Sequence, residues 1–267
     1  MYRFLLSKQW IALGLLMVTA AAVMVWLGVW QLHRYQYRTD LNTRIDAAAS
    51  QVRPLTEVLT APAGVPGSVG PAPDAELNWS MVTVTGRYDP THEILARVRT
   101  LDATMGFEVI TPLVLADGTA VLVDRGWLPA TSEVATDAPT IPAAPSGEVT
   151  VVGRVHAPES RASKPEPFAG GLAVRRIDPA QLTEAVPYPL YGAYITLASQ
   201  TPPADPALTP IPADHENAAM NAGYVVQWWA FALLTLFGFG YVAYRHAHPA
   251  PETPPVPEDD LVAPARS

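Results

Sequence analysis

Two uncharged, apolar blocks frame a middle section in which apolar and polar positions alternate. Residues 11–32, IALGLLMVTAAAVMVWLGVWQL, are 22 positions without a formal charge. At about 1.5 Å rise per residue they reach roughly 33 Å, enough to cross a bilayer core of about 30 Å. Residues 218–244, AAMNAGYVVQWWAFALLTLFGFGYVAY, form a second stretch of similar reach. The pattern predicts two transmembrane helices. The alternative for the first block is a cleavable signal peptide, with Arg3 and Lys8 as its basic region and Ala20, Ala21 and Ala22 at the cleavage point. Signal cores span only about 7–15 residues, and this run continues through VMVWLGVW, so an uncleaved anchor is expected.

From residue 79 the period becomes two. WSMVTVTGRYD, HEILARVRT, GFEVITPLVL, TAVLVDRGWL, EVTVVGRVHAP, LAVRRID and AYITLAS read as short strands, with Ala116-Asp117-Gly118 as a hairpin turn between the third and fourth. Asp178-Pro179 followed by AQLTEAV reads as a capped short helix. The expected fold is an α+β membrane protein, two transmembrane helices flanking a small antiparallel β domain, barrel or sandwich. The boundaries are an N-terminus at 1–10, a first span at 11–32 and a helix extension with a Pro/Gly linker at 33–75. The β domain follows at 76–200, then a linker at 201–217, the second span at 218–244 and a Pro-rich, acidic, disordered tail at 245–267. VTVTGRYDP at 82–90 and VTVVGRVHAP at 149–158 echo each other. Duplication of a half-domain and convergent strand-and-turn chemistry both account for such a match.

Two spans put both termini on one side of the membrane. Arg3, Lys8 and Arg245 flank that side, and Arg34, Arg38 and Arg44 flank the other, so charge does not orient the chain. The short basic N-terminus before an anchor-like block places the termini in the cytoplasm and the β domain outside the plasma membrane.

Composition removes several functions. Zero cysteine excludes a disulfide framework, thiolate metal sites and C-x-x-C-H haem attachment. A net charge of −8 argues against nucleic acid. His92-Glu93 opens an H-E-x-x-H pattern that Ala96 breaks, and Gly67-Ser68-Val69-Gly70 is no nucleophile elbow. With neither a catalytic constellation nor a metal site, the chain reads as a non-enzyme.

The chemistry concentrates where the spans meet the β domain. Trp26, Trp30, His33 and Tyr37 share one helical face beside a stripe of Gln31, Arg34 and Arg38; Tyr224, Gln227, Trp228 and Phe231 cluster at the matching end of the second span. An aromatic belt with snorkelling arginines is one reading. The two amides suggest another, because lipid offers them no partner. Gln31 and Gln227 would bond across packed helices, leaving an aromatic-walled gap under Arg34 suited to a flat apolar ligand with an acidic edge.

LGVWQLHRYQYR, VLVDRGWLP and NAGYVVQWWAFAL together resemble the surfeit locus family of cytochrome c oxidase assembly factors. Leu27, Gly28, Trp30, Gln31, Leu32 and Arg34 match its first motif. Gly86, Arg87, Tyr88, Pro112, Leu113, Arg125, Gly126 and Trp127 match the middle, and Tyr224, Gln227 and Trp228 the last. The resemblance implies a chaperone of the respiratory chain that handles haem a transiently and meets the haem-bearing oxidase subunit. Trp30, Gln31, His33, Arg34, Tyr224, Gln227 and Trp228 would form the haem or subunit contact. Many members carry a histidine three residues before the tyrosine; here Asn221 stands there, a poor ligand for haem iron. Arg125-Gly126-Trp127 has a structural alternative, a glycine bulge and a tryptophan filling the β domain. A membrane-tethered sensor or ligand-binding module acting through its β domain is the other functional reading.

Overall fold

The computed structural model describes residues 2–131, 137–213, 215 and 217–249. In chain order its elements are α1 (Lys8–Ala49), β1 (Val52–Pro54), the one-turn α2 (Leu55–Val58), β2 (Met81–Tyr88), β3 (Ile94–Leu101), β4 (Thr104–Val114), β5 (Ala120–Pro129), β6 (Val149–His156), β7 (Glu166–Phe168), β8 (Gly171–Val174), β9 (Leu190–Thr201) and α3 (Ala219–Ala247). Contacts divide the chain into a helical unit, residues up to 39 and from 217, and a β-rich unit, residues 40–216. Apart from the end of α3 and the two residues after it, the tail expected to be disordered lies outside the described residues.

Both long helices are apolar enough to cross a membrane, with mean hydropathy 2.3 and 1.5, and only 11% of each apolar window is buried. A helix that is apolar nearly all round and left uncovered needs lipid as its solvent. Within the helical unit α1 and α3 run antiparallel, and small residues set how near they come. Ala21, Ala232 and Ala243 are buried. A Cβ at Gly28 would lie 2.2 Å from Trp229 Nε1, and one at Gly14 would lie 3.3 Å from the Phe239 ring. With no hydrophobic drive between helices in lipid, packing of these rings into the space left by small residues is what joins them.

The strands form one nine-stranded sheet in the order β1-β2-β6-β9-β5-β4-β3-β8-β7, and β2 also pairs with β4. The ladders therefore run from β2 through β6, β9, β5 and β4 and return to β2 at Arg87–Tyr88. The sheet is mixed, which corrects the antiparallel expectation: β1–β2, β3–β8 and β5–β9 are parallel. Alternation reports which face a strand buries and carries no information on its neighbour's direction. The Asp-Gly turn forms as expected, Gly118 at φ 83° and Asp117 Oδ1 accepting from Thr119 N. The helix expected after Asp178 shrinks to a 3-10 turn, Pro179–Gln181, capped by Asp178 Oδ1.

The core recruits segments outside the alternating region. Leu55, Val58 and Leu59 pack with Val82, Val121 and Tyr191. Leu208 packs with Phe107 and Leu128, and Thr209 makes a two-way backbone bridge to Trp127. Residues assigned by sequence to linkers thus close the β unit on both sides.

Candidate functional site

In the helical unit Asn221 Nδ2 donates to Gln31 Oε1 at 2.7 Å. Gln31 is paired across the helices as its chemistry requires, but with Asn221; Gln227 is exposed. The physical reason is helical phase. Asn221, Val225 and Ala232 line the side of α3 that is buried, and Gln227 falls far round the axis from them. Asn221 is itself buried, and its Oδ1 has no hydrogen-bond partner. The interhelical amide was detectable as a second amide near the start of the apolar block; only the choice between Asn221 and Gln227 needed the phase.

The aromatic stripe also lies away from the helix contact. Trp26, Trp30 and Tyr37 are 65%, 46% and 71% exposed, and His33 is exposed with them. On the inner face Gly28 meets the Trp229 ring and Gln31 meets Asn221, so Trp26, Trp30 and Tyr37 do not wall a gap between the helices. The Arg34 guanidinium lies over the Trp30 ring, 5.4 Å from its centroid. Arg38 Nη1 donates to Asn217 O at 3.0 Å. On α3, Tyr224 is exposed and Trp228 is half-buried, edge-on to Phe231 at 6.2 Å.

In the β unit the matched motifs converge. Arg125, almost wholly buried, donates from Nη1 to Glu93 Oε2 at 3.0 Å and from Nη2 to Pro142 O at 3.1 Å. Its guanidinium sits over the Tyr88 ring at 5.6 Å, and Tyr88 Oη donates to Gln200 Oε1 at 2.8 Å. Burial drives the Tyr88 phenol upward, with the Arg125 charge opposing. Gly126, at φ 139°, sits where the β4–β5 register shifts; a Cβ there would lie 2.9 Å from Thr209 O. Trp127 donates from Nε1 to Arg99 O at 3.2 Å and covers Gly106. Glu93, met by sequence only as half of a broken zinc motif, is the counter-charge that Arg125 requires.

Gly86, Arg87 and Tyr88 also line a cavity of about 650 Å³ with Asp89 and Tyr188. Burial raises the Asp89 carboxyl, but hydrogen bonds from Thr91, His92 and Tyr188 outweigh it and hold the group down to about 2. A second polar group surrounds Arg99, which pairs with Glu108 at 2.9 Å and Glu159 at 2.8 Å. Asp124 lies buried behind them. Burial first, then the Glu108 charge, pushes its carboxyl well above the ordinary carboxylate range.

The SURF1 family model matches residues 18–233. An uncharacterized SURF1-like protein of Mycobacterium bovis is 30% identical over 272 residues, covering 97% of this chain and 95% of that protein. A SURF1-like protein of Monosiga brevicollis is 31% identical over 134 residues, 46% of this chain and 47% of its own. One from Dictyostelium discoideum is 31% identical over 104 residues, 38% of this chain and 37% of its own. The family match takes in most of both apolar helices and the whole converged motif set between them: this chain belongs to the SURF1 family.

Proposed function

We propose that the protein is a non-enzymatic assembly factor for haem-copper cytochrome c oxidase in the plasma membrane, with its termini in the cytoplasm and its β domain, a small barrel, outside. It assists insertion of haem a or steadies the nascent haem-bearing subunit at the outer membrane interface. The observation that carries this reading is the family match across residues 18–233.

Haem a is cargo in this reading, and the residues fit it only in part. Iron ligation from α3 does not fit, because position 221 is an amide that donates to Gln31. The outward face of α1 fits better: Trp30 offers a ring for stacking and Arg34 a guanidinium for a propionate, with His33 exposed beside them. Tyr224, Gln227 and Trp228 then serve contact with lipid or with the client subunit. Deletion is expected to lower assembled aa3-type oxidase while haem a synthesis continues; normal oxidase levels after deletion would overturn the role. Absorption spectra of the protein purified in mild detergent, repeated with His33→Ala and with His215→Ala, the histidine six residues before Asn221, test the haem step separately.

The second reading, a membrane-tethered sensor or ligand-binding module, draws on the 650 Å³ cavity at Gly86, Arg87 and Tyr88. Under it Arg87→Ala abolishes function and Trp30→Ala does not; the assembly reading expects the reverse.

A further inference from the structure

The echoed Gly-Arg pairs occupy opposite ends of one antiparallel ladder, in which Gly86 faces Val149 and Gly153 faces Val82. Each glycine closes on a neighbouring strand. A Cβ at Gly86 would lie 2.6 Å from Val114 O, and one at Gly153 would lie 2.3 Å from Ile195 Cγ2. Each following arginine lines a cavity, Arg87 the one of about 650 Å³ and Arg154 another of about 240 Å³. Arg87 is exposed to water, whereas Arg154 is half-buried.

Among the described residues Arg154 has no ion-pair partner. Its Nε is buried without a hydrogen-bond partner, and among the described residues no carboxylate lies within ion-pair distance of it. Burial lowers its pKa; the opposing charge comes from Asp46, which is 69% exposed and already holds His215 Nε2 at 2.8 Å. The rest of the cavity is chiefly apolar, with Met81, Leu197, Ile211 and Pro212 among its walls. His156 completes it, its ring stacked on Tyr194 at 5.1 Å and edge-on to Trp79 at 4.7 Å. A half-buried guanidinium whose Nε is unpartnered is costly, and an entering anion offsets that cost.

We propose that this cavity binds an amphiphile whose anionic head, a carboxylate or a phosphate, pairs with Arg154 while its apolar chain lies along Met81, Leu197, Ile211 and Pro212. The site is independent of the assembly role, so failure of either leaves the other standing. His156 reports on occupancy. Its pKa lies at about 4, lowered by burial and then by the Arg154 charge; an anion on Arg154 offsets the second cause.

The full chain in phosphatidylcholine nanodiscs, with labelled histidine rings and His156→Gln for assignment, is titrated with octanoate. The expected result is a saturable shift of the His156 signal with a rise in its pKa, no rise with 1-octanol, and at least tenfold weaker binding of inorganic phosphate. Arg154→Gln is expected to raise the His156 pKa without ligand and to weaken octanoate at least tenfold, while Arg154→Lys keeps most of the binding. Ile211→Trp, which fills the cavity and spares the cation, is expected to lose octanoate at a wild-type ring pKa. Equal octanoate response in Arg154→Gln, equal response to 1-octanol, or no saturable response in the wild type overturns the site. Adding phosphatidylglycerol to the discs distinguishes the source: displacement of octanoate supports the site with a membrane lipid as occupant, and no displacement supports it with a soluble one.

Discussion

Asn221 donates one side-chain hydrogen bond of 2.7 Å to Gln31 between α3 and α1, and the bond satisfies Gln31 Oε1 while leaving Asn221 Oδ1 without a donor. The asymmetry makes the two residues unequal. Gln31→Leu strands both polar groups of a buried amide, whereas Asn221→Leu removes an orphaned acceptor along with the bond. Interhelical hydrogen bonds in membranes contribute about 0.6–2 kcal/mol. Gln31→Leu is therefore expected to weaken helix association more than Asn221→Leu, with the double variant nearer wild type than Gln31→Leu alone. Unfolding in graded detergent denaturant, followed by energy transfer between the helix ends, checks the order.

Arg125 is expected to be a stability residue. Its charge is neutralised by Glu93 in a pair whose side chains are 2% and 14% exposed. Removing one partner of such a pair leaves an uncompensated buried charge, at a cost of about 3–5 kcal/mol. Arg125→Met should lower the melting temperature sharply, and adding Glu93→Gln should recover part of the loss, since Thr111 Oγ1 can still donate to that position. A melt unchanged by Arg125→Met would show that the pair does not hold the β unit together.

Much of this was legible in the sequence, and the gaps have physical causes. Uninterrupted apolar length gave both long helices, and short runs of alternating or apolar residues gave the strands β2 to β6, β8 and β9; β2, β3 and β6 bury one face more than the other, whereas β5 and the first part of β9 are buried on both. The sheet's parallel pairs were hidden, since β5 and β9 are brought together by a crossover that leaves no mark on either strand. β1 and α2 were hidden because Val52–Val58 is too short to show a period, although Leu55 and Val58 are buried. Among the site residues, Gln31 was legible as an amide needing a partner. The outward turn of Trp26, Trp30 and Tyr37 was not, because large rings at helical spacing mark a face without saying what that face meets.

His156 sets an acid limit on the β unit. Its folded pKa of about 4 lies below the 6.5 of a free imidazole, chiefly through burial. Between those values the unfolded chain binds more protons than the folded one, so stability is full above pH 6.5 and falls as pH drops toward 4. The loss is on the order of 3 kcal/mol at most, from about 1.4 kcal/mol per pKa unit. His156→Gln should flatten the stability profile in that window, measured by denaturant unfolding at a series of pH values. A profile with the same slope in the variant would assign the acid sensitivity elsewhere.

Asp124 acts in the opposite direction. Burial and the neighbouring Glu108 charge raise its folded pKa above the ordinary 3.8, so the folded chain holds a proton that the unfolded chain releases. Stability from this group is full below pH 3.8 and declines as pH rises toward the folded value. Asp124→Asn mimics the protonated form and keeps an oxygen for Gly126 N, now 3.3 Å from Asp124 Oδ1. The variant should be more stable than wild type at pH 8 and should lose the alkaline decline; a variant that is less stable at pH 8 would mean that Asp124 is charged in the fold.

The helix register can be tested directly because the chain contains no cysteine. Thr235 Oγ1 approaches Met24 Sδ at 3.7 Å, so these two side chains face each other within the helical unit. A Met24→Cys/Thr235→Cys pair is expected to cross-link efficiently on mild oxidation or with a short bifunctional thiol reagent. Trp30→Cys/Gln227→Cys should not cross-link within a chain, because both positions are exposed and lie off the contact faces. The two pairs differ by little more than helical phase, so collision of mobile helices would label both to a similar extent. Selective linkage of the first pair fixes Gln31 opposite Asn221 and turns the Trp26, Trp30 and Tyr37 face outward, as the proposed haem or client contact requires. Selective linkage of the second would restore a pocket between the helices and remove the basis for an outward-facing contact.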